Sequence, residues 1–578
     1  MSLFPIRNVG EVSLNTDLVP WELPPEYITY GNNFRATNKN LFAYQCNTPV
    51  LPVDSSGFLG SRLIAVSANG QNFILAMGKT AVKVFNYITW TDISSFQGYA
   101  SIPAFQEVAW TSTLLGSIPI ISNPFHGIEY WSPQETANKL KALPFSPAAT
   151  VTAGTFVVGR QYTIKTLGTT DFTLVGAASN TIGLTFVATG TGAGSGTATD
   201  LASNTWFDKG YKCKVIRAHK QFLFALNLTE GLVEQPNSYR WSHPADVNGL
   251  PFTWDESDLS AIAGKDAIGA DSGDIIDGAT INDSFCIYSE RGIVALDFVG
   301  DEFVWRKRQI STIAGLLAKD CVVEVEGYNA FIANGDIIKN DGRQLVSLMN
   351  NRLRKNFAAS IDTTNFKNSY AIKLKHENEI WFCVPFTGSV TANVAYVYNW
   401  LDDTWSVKDI PDNIAHMAYT RVSPNLDQWD GAVGTWDTDP DIWNGVGDSP
   451  FLNGMVGVNP TAGAALFDLF SNTYVNPINT TIERVGLMFD QTDVKVSTIT
   501  RVYPHIQGSG TLTIEIGSHD FANSAVRWKP PIIFNPSTDR KIDVRSTGEL
   551  HAYRLTSIGN NSFAFNGLTF EYEDNGVR

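Results

Sequence analysis

A repeated strand–turn–strand pattern constrains this chain more than any other feature of its sequence. The first unit reads FILAM at residues 73–77, a GKT turn, AVKVFNY at residues 81–87 and a closing Trp90. Short apolar or alternating runs separated by turn residues predict β-hairpins. Comparable units follow within residues 107–131, 213–242, 284–306, 321–338 and 369–405. With residues 150–201 set aside, the units recur about every 40–50 residues, the spacing of four-stranded propeller blades. We therefore predict a mainly β chain, a β-propeller of about six blades.

Residues 150–201 differ in composition from both of their flanks. The block has no Trp, His, Cys or Pro, and it consists largely of Gly, Ala, Thr, Val and Phe. The hairpin units on its two sides belong to one series, so we interpret the block as an insertion between blades and not as a joint between domains. Its runs YTIK at 162–165 and LTFVA at 184–188 alternate in the way of half-buried strands. They predict a small inserted β module with a glycine-rich tip.

The parts of the chain outside the repeated units have other patterns. Residues 1–45 include three prolines within six residues, at positions 20, 24 and 25, which predicts an extended N-terminal arm. Short alternating strands in residues 476–578 predict a C-terminal domain similar to a β-sandwich. The propeller then occupies residues 46–149 and 202–415.

Residues 416–475 lose the alternation of the propeller units. Trp429, Trp436 and Trp443 stand seven residues apart, with Gly, Asp and Pro between them. Those breakers exclude a coiled coil. The pattern predicts a long ordered loop that is held in place by its tryptophans.

Composition limits the class of protein. The chain has 578 residues, 43% hydrophobic and 17% charged, which is typical of a soluble protein with more than one core. It has no apolar run of about 18 residues, so we expect no membrane insertion. The five cysteines are far apart and form no CxxC, which favours buried thiols made in a reducing compartment. A net charge of −15 argues against a general DNA-binding surface, although an acidic surface can line a conduit for DNA.

The chain carries no recognisable catalytic or cofactor motif. Gly190, Gly192, Gly194 and Gly196 alternate without a helix behind them, whereas a phosphate-binding loop needs GxxxxGK[ST] or GxGxxG ahead of a helix. Residues 89–95 have the composition of a sialidase-type turn but not its order. Paired carboxylates for glycoside hydrolysis are not singled out by any spacing. We predict that the chain is not an enzyme and that it uses no cofactor.

Only one group of residues resembles a metal site. Asp437, Asp439 and Asp441 have the spacing of the first ligands in a calcium loop. Ile442 occupies the position where such a loop needs Gly, and no Glu stands at the twelfth position. A capped acidic turn is therefore the favoured interpretation, and the three aspartates remain candidates only.

Two groups of basic residues fit two kinds of contact. In a nucleic-acid-binding protein they would meet phosphates, and in an acidic protein they more often pair with acidic groups of the same chain or of a neighbouring subunit. We favour the second interpretation. The first group is Lys209, Lys212, Lys214, Arg217 and Lys220, and the second is Arg306, Lys307, Arg308, Arg352, Arg354 and Lys355.

Several stretches resemble one known family. They are VGEVSLNTDL at 9–18, ELPP at 22–25, YRWSHPAD at 239–246, SERGIVALDF at 289–298, the tryptophan loop and ERVG at 483–486. Together they resemble the tail nozzle proteins of short-tailed phages, also called tail tubular protein B or tail stabilisation proteins. Each stretch is short, and their order along most of the chain carries the resemblance.

The inserted module has a resemblance of its own. QYTIKTLGTTDFTLVGA at 161–177, with TFVATG at 185–190 and GSGTA at 194–198, is similar to a small β module found in many phage particle proteins. This resemblance indicates a virion component more directly than it indicates a nozzle.

The resemblance implies a structural virion protein that is assembled in the host cytoplasm and located in the phage tail. It implies a homohexameric ring below the adaptor that connects head and tail, with tail fibres or spikes at its side. The channel of such a ring holds double-stranded DNA in and conducts the genome during ejection. The alternative is a receptor-binding or fibre-attachment protein that contacts host glycans, and the third possibility is an enzyme that degrades a surface polysaccharide.

Overall fold

The structure is a computed structural model that describes most of the chain. The described residues are 2–44, 48–49, 58, 60–68, 71–87, 89–95, 98–99, 102, 109–132, 139–201, 203–246, 249–300, 304–410, 414–421, 453–458, 466–468, 478–490, 495–522, 524–558 and 561–577. The chain divides into two compact units. The first comprises Met1–Leu63, Tyr87–Thr89 and Leu316–Arg578, and the second comprises Ile64–Asn86 and Trp90–Gly315.

Four four-stranded sheets, I to IV, follow one another through residues 60–311, and each strand pairs with the next along the chain. Sheet I consists of Gly60–Ala68, Gln71–Gly78, Val82–Phe85 and Trp90–Asp92. Sheet II consists of Thr111–Leu115, Ile118–Asn123, His126–Tyr130 and Lys141–Ala142. Sheet III consists of Tyr211–His219, Phe222–Glu230, Val233–Trp241 and Gly264–Ala267. Sheet IV consists of Ile275–Ile281, Ser284–Ser289, Ile293–Phe298 and Trp305–Ser311.

Three further four-stranded sheets, V to VII, lie in the first unit. Sheet V consists of Val322–Val325, Tyr328–Ala333, Asp336–Asn340 and Leu345–Ser347. Sheet VI consists of Tyr370–Leu374, Glu379–Val384, Val394–Asn399 and Thr404–Asp409. Sheet VII consists of His416–Arg421, Asn453–Val458, Leu466–Asp468 and Thr48–Pro49. The six units recognised in the sequence lie in sheets I to VI.

The inner strands of these sheets are apolar on both faces because each face packs in a different core. In sheet III, Leu223 and Ala225 join a core shared with sheet II. Phe224 and Leu226, which alternate with them, join a core shared with sheet IV, where Phe224 stacks on Phe285 at 4.1 Å. Successive side chains of a strand point to opposite faces, so a continuous apolar run is required. The predicted mainly β fold of propeller-blade sheets is confirmed.

The prediction of a long loop over residues 416–475 is wrong in part. Three strands of sheet VII lie there, and their fourth partner is Thr48–Pro49, which pairs with Phe467 and Asp468. The described residues therefore contain seven sheets of this type where we predicted about six. Sheet VII gives no local signal because its last two strands are two and three residues long and come from distant parts of the chain. Trp429, Trp436 and Trp443 lie outside the described residues.

The inserted module is a separate four-stranded sheet with its own core. Its strands are Thr150–Thr152, Gln161–Thr166, Thr185–Val187 and Thr197–Asp200, and a 3-10 turn spans Phe172–Val175. Phe156, Tyr162, Phe172 and Phe186 form the centre of its core. The segments that flank the module lie next to each other, since the Phe145 N–H donates to the Asn204 carbonyl at 2.7 Å.

Two six-stranded sheets, VIII and IX, form the C-terminal β-sandwich-like domain. Sheet VIII consists of Ser2–Ile6, Phe34–Thr37, Asn40–Ala43, Lys495–Gly508, Ile542–Gly548 and Phe563–Val577. Sheet IX consists of Tyr30–Asn32, Asn479–Leu487, Leu512–His519, Arg527–Trp528, Ile532–Phe534 and Leu550–Ile558. Hydrogen bonds join the two sheets, for instance from Ser546 Oγ to Ser518 Oγ at 3.1 Å.

The predicted extended N-terminal arm, residues 1–45, contains strands that belong to the same sheets as the C-terminal domain, so the boundary drawn between the two segments does not separate two folds. Four strands from residues 2–43 complete sheets VIII and IX. The run at residues 30–36 forms two strands in different sheets, because Asn33 between them has a φ of 58°. Short local runs could not show this, since three of the four strands have partners more than 400 residues away in the chain, as Tyr30 opposite Glu483 does.

Helices are few and short among the described residues. They are α1 (Val9–Val12) and α2 (Arg354–Ser360), and the 3-10 helices in addition to that of the module are Pro20–Glu22, Ala270–Ser272 and Phe366–Asn368. None of the helices in the described part of the chain is long and apolar enough to span a bilayer.

Candidate functional site

A buried arginine of the C-terminal domain holds the proline-rich part of the arm. Arg484, on sheet IX, is only 1% exposed. Its guanidinium donates to the carbonyl oxygens of Pro20 and Leu23, each at 2.8 Å, and of Pro24 at 3.4 Å. An arginine fork suits this task because its donors lie in one plane at fixed angles. Two segments of the family resemblance, residues 22–25 and 483–486, are thereby brought into direct contact.

The residues next to Arg484 complete this contact. Thr29 N–H donates to the Glu483 carbonyl at 3.0 Å, and Val485 N–H donates to Thr29 Oγ1 at 3.1 Å. Gly486 has a φ of 74°, and a Cβ there would lie 2.9 Å from the Cβ of Pro20. Burial lowers the pKa of Arg484 to about 10, against an opposing effect of Tyr553 and Glu26. We call the contact between residues 20–29 and residues 483–486 the arm clamp.

The preceding part of the arm is held by helix α2 and the turn before it. Asn15 Nδ2 donates to the Asn351 carbonyl at 3.1 Å, and Thr16 N–H donates to the Arg352 carbonyl at 2.8 Å. The Asp17 carboxylate accepts the N–H of Lys355 at 3.0 Å, at the N-terminal end of the helix. A carboxylate at that end satisfies donors that the helix itself leaves free. The segment at 9–18 is thus bound along its second half.

A buried group of charged and aromatic residues joins the arm to sheet VI. Arg35 forms ion pairs with Glu377 and Glu379, and the Glu379 side chain is 1% exposed. Trp381 Nε1 donates to Glu379 at 3.1 Å. Burial raises the pKa of Glu379, and Arg35 offsets part of that rise. The Lys408 ammonium, also buried, lies 4.4 Å from the ring centre of Tyr44.

The other family-like segments also stabilise local structure. In 289–298, Ser289 Oγ accepts the N–H of Gly292 at 3.0 Å, which closes the tight turn between two strands of sheet IV. In 239–246, the Arg240 guanidinium binds Glu230 at 2.5 Å, and Lys265 binds the other carboxylate oxygen of Glu230 at 2.6 Å. These two segments therefore stabilise the sheets, one through a tight turn and the other through ion pairs.

The candidate metal residues Asp437, Asp439 and Asp441 lie outside the described residues. Among the described ones, no group of three or more His, Cys, Asp or Glu side chains has the geometry to hold a metal ion.

The interpretation of the basic groups as partners of acidic residues in the same chain is confirmed for most of their members. Among the described residues, two members of the first group and five members of the second pair with aspartates. The pairs are Arg217–Asp277, Lys220–Asp283, Arg306–Asp297, Lys307–Asp266, Arg308–Asp297, Arg352–Asp403 and Arg354–Asp336. Lys355 meets Asp17 through its backbone N–H instead.

A serine–histidine pair that the sequence did not single out lies between sheets VIII and IX. Ser497 Oγ is 2.7 Å from His551 Nε2, and the imidazole stacks on Phe489 at 4.5 Å. Within the described chain, His551 Nδ1 has no hydrogen-bond partner, so the pair lacks the acid that orients a catalytic triad. Burial lowers the pKa of His551 to about 3, with a smaller effect from His519. A neutral histidine of such low basicity does not activate a serine well near neutral pH, and the pair joins the two sheets.

Comparisons with known proteins give only distant likenesses. No protein-family model matches the chain, and no curated protein matches it. Among solved structures, the chain is similar to BBS1N in complex with ARL6DN, with 9% identity, a TM-score of 0.34, and coverage of 74% of this chain and 96% of that one. It is also similar to YCF48 from Cyanidioschyzon merolae, with 9% identity, a TM-score of 0.32, and coverage of 63% and 88%. These likenesses are too weak to carry an argument about function.

Proposed function

We propose that this chain forms the tail nozzle of a short-tailed phage, a homohexameric ring that closes the DNA channel and conducts the genome during ejection. The observation that carries the proposal is the arm clamp. The family-like segments at 22–25 and 483–486 are separated by more than 400 residues, yet Arg484 binds the backbone of residues 20–24 directly. This contact places two of the resembling segments in one structural unit, which supports the proposal.

The way in which the arm is held suits a ring that contains a pressurised genome. Arm strands pair with C-terminal strands, as Ser2–Ile6 does with residues 568–572. The arm is also bound by α2 and by sheet VI through Asp17 and Arg35. Contacts between distant parts of the chain make local opening costly, because several must break together.

The charge of the chain is compatible with the passage of DNA. The net charge of −15 gives a repulsive field for a polyanion. An acidic lumen would let DNA slide without being retained. Among the described residues, seven of the eleven members of the two basic groups pair with aspartates, as Lys307 does with Asp266 at 2.9 Å.

Copy number and position in the particle test the proposal. A short epitope inserted at Ile182, an exposed position of the module, would be carried by infectious particles and labelled with antibody for electron microscopy. We expect six copies per particle by quantitative mass spectrometry and label around the tail axis, with untagged particles as the control. Three copies at the tail periphery, or no copies in purified particles, would contradict the nozzle assignment.

A further inference from the structure

The hairpin between the second and third strands of sheet III has an unusual tip. The two-residue turn is Gly231-Leu232, with φ values of 53° and 74°. Turns of this kind need positive φ at both positions and normally use Gly, Asn or Asp. A leucine is disfavoured in left-handed backbone. Leu232 is also 98% exposed, so its side chain gains no burial within the chain. Neither the backbone nor the core accounts for a leucine here.

The tip is presented rigidly and carries one free negative charge. Glu230, directly before the turn, is fixed by Arg240 and Lys265 at 2.5 and 2.6 Å. After the turn, Val233 is 59% exposed and Glu234 is exposed. Glu234 forms no ion pair with any other described residue. A rigid apolar tip loses little conformational freedom on binding, and covering its exposed apolar surface is favourable.

A complementary surface lies at the edge of sheet IX. Lys529, Pro530 and Pro531 are exposed, and Ile533 is 72% exposed on the short strand Ile532–Phe534. Lys529 N–H donates to the Ile516 carbonyl at 2.9 Å, which fixes the backbone there. The Lys529 ammonium forms no ion pair in the part of the chain that the structure describes. We call residues 529–533 the Pro-rich edge, an apolar strip with one positive charge.

We propose that the hairpin tip, residues 231–234, of one copy docks on the Pro-rich edge of a second copy. Leu232 and Val233 cover the prolines and Ile533, and Glu234 lies opposite Lys529. The two surfaces match in both respects, apolar against apolar and negative against positive. They are different surfaces of one chain, so the contact is heterologous, and such contacts close into rings when the rotation between copies allows. The contact itself is independent of the proposed function, and the inference rests on that function only for the number of copies in the ring.

Sedimentation velocity of the purified full chain over a wide range of concentrations tests the contact. Leu232→Asn places a residue that tolerates left-handed backbone at the turn. We expect its thermal stability to equal or exceed that of the unmodified protein, while self-association weakens by roughly tenfold because the burial of one leucine is lost. A misfolded variant could not give both results. Leu259→Asn is the matched control, because Leu259 is 100% exposed in a loop of the same sheet, and it should associate normally.

Charge reversal tests the second half of the contact. Glu234→Lys and Lys529→Glu should each weaken association, and the double variant should restore it. Association that is unchanged in Leu232→Asn and in both charge variants overturns the inference, and so does an unmodified chain that stays monomeric throughout.

Neither result would affect the nozzle proposal, which depends on the copies found in tails. A chain that associates as expected but is absent from particles would overturn the nozzle proposal and leave the contact standing.

Discussion

Asn33 and Asp409 are joined by two hydrogen bonds, and each residue donates one of them. Asn33 Nδ2 donates to the Asp409 carboxylate at 2.9 Å, and the Asp409 N–H donates to Asn33 Oδ1 at 2.8 Å. The same amide donates to the Asn479 carbonyl at 2.9 Å, and the Asn33 carbonyl accepts the Thr480 hydroxyl at 3.0 Å. Asn33 has a φ of 58° and is 3% exposed. One arm residue therefore ties the last strand of sheet VI to a strand of sheet IX.

Replacement of Asn33 by Asp should strongly destabilise the protein. Asn33→Asp keeps the shape but loses the two donated bonds and places a carboxylate beside that of Asp409. We expect a loss of about 3 kcal/mol in the free energy of unfolding near neutral pH, measured by urea titration. Acidification should recover part of the loss, because a proton removes the repulsion.

The control for that change is Asn33→Gly. Glycine accepts the positive φ without strain, so this variant loses only the side-chain bonds, about 2 kcal/mol. Its loss should not depend on pH in the range where the Asp variant recovers. Equal stability of Asn33→Asp and the unmodified protein near neutral pH would show that the reciprocal pair does not stabilise the arm.

The arm clamp should require arginine and not merely a cation. Arg484→Lys cannot reach the carbonyl oxygens of Pro20, Leu23 and Pro24 at once, so some buried acceptors lose their donor. We expect a loss of about 2–4 kcal/mol in unfolding free energy and faster proteolysis within residues 15–30. Arg501→Lys, at a residue that is 41% exposed, should change stability by less than about 0.5 kcal/mol. Proteolysis of the arm at the unmodified rate in Arg484→Lys would contradict the clamp.

Local sequence patterns predicted the sheets whose strands are neighbours in the chain. The run FLFAL at 222–226 predicts a strand because it must fill two cores, which is what Leu223 and Phe224 do. Turn residues mark the ends of such strands, and the hairpins of sheets I to VI follow from them. The inserted block is recognisable for a similar reason, since its alternating runs build a core of its own.

Contacts between segments that are distant in the chain produce no local sequence pattern from which they could be predicted. Thr48–Pro49 is two residues long and pairs with strand Leu466–Asp468, and no periodicity can be measured over two residues. Arg484 appeared only as part of a short motif, because nothing local shows that its partners are backbone carbonyls of residues 20–24. Ser497 and His551 are ordinary residues until two sheets bring them within 2.7 Å.

Removal of the inserted module should leave the rest of the chain folded. The two flanks are joined by hydrogen bonds, with Phe145 N–H to the Asn204 carbonyl at 2.7 Å and Ala149 N–H to Ser203 Oγ at 2.7 Å. Deletion of residues 150–201 with a short Gly–Ser bridge thus closes a gap that is already narrow. We expect a soluble product whose melting temperature falls by no more than a few degrees.

Deletion of residues 211–241, three strands of sheet III, is the control for the module experiment, since it removes parts of two shared cores. That product should be insoluble. An insoluble product from the module deletion as well would show that the host fold depends on the module.

The buried His551 should make sheet IX less stable in acid. Burial lowers its pKa to about 3 in the folded chain, whereas a histidine in the unfolded chain has a pKa of about 6.5. Its contribution to stability is therefore complete above about pH 6.5 and is lost as the pH falls toward the folded value, by about 2 kcal/mol at pH 5.

Hydrogen exchange of the amides in Leu550–Ile558, compared between pH 7 and pH 5 after correction for intrinsic rates, measures this loss. His551→Gln keeps a partner for Ser497 and should reduce the acid-dependent part by about 2 kcal/mol, whereas His376→Gln, at an exposed position, should leave it unchanged. The same acid dependence in His551→Gln as in the unmodified protein would assign the effect to other buried histidines, such as His416, whose pKa burial also lowers to about 3.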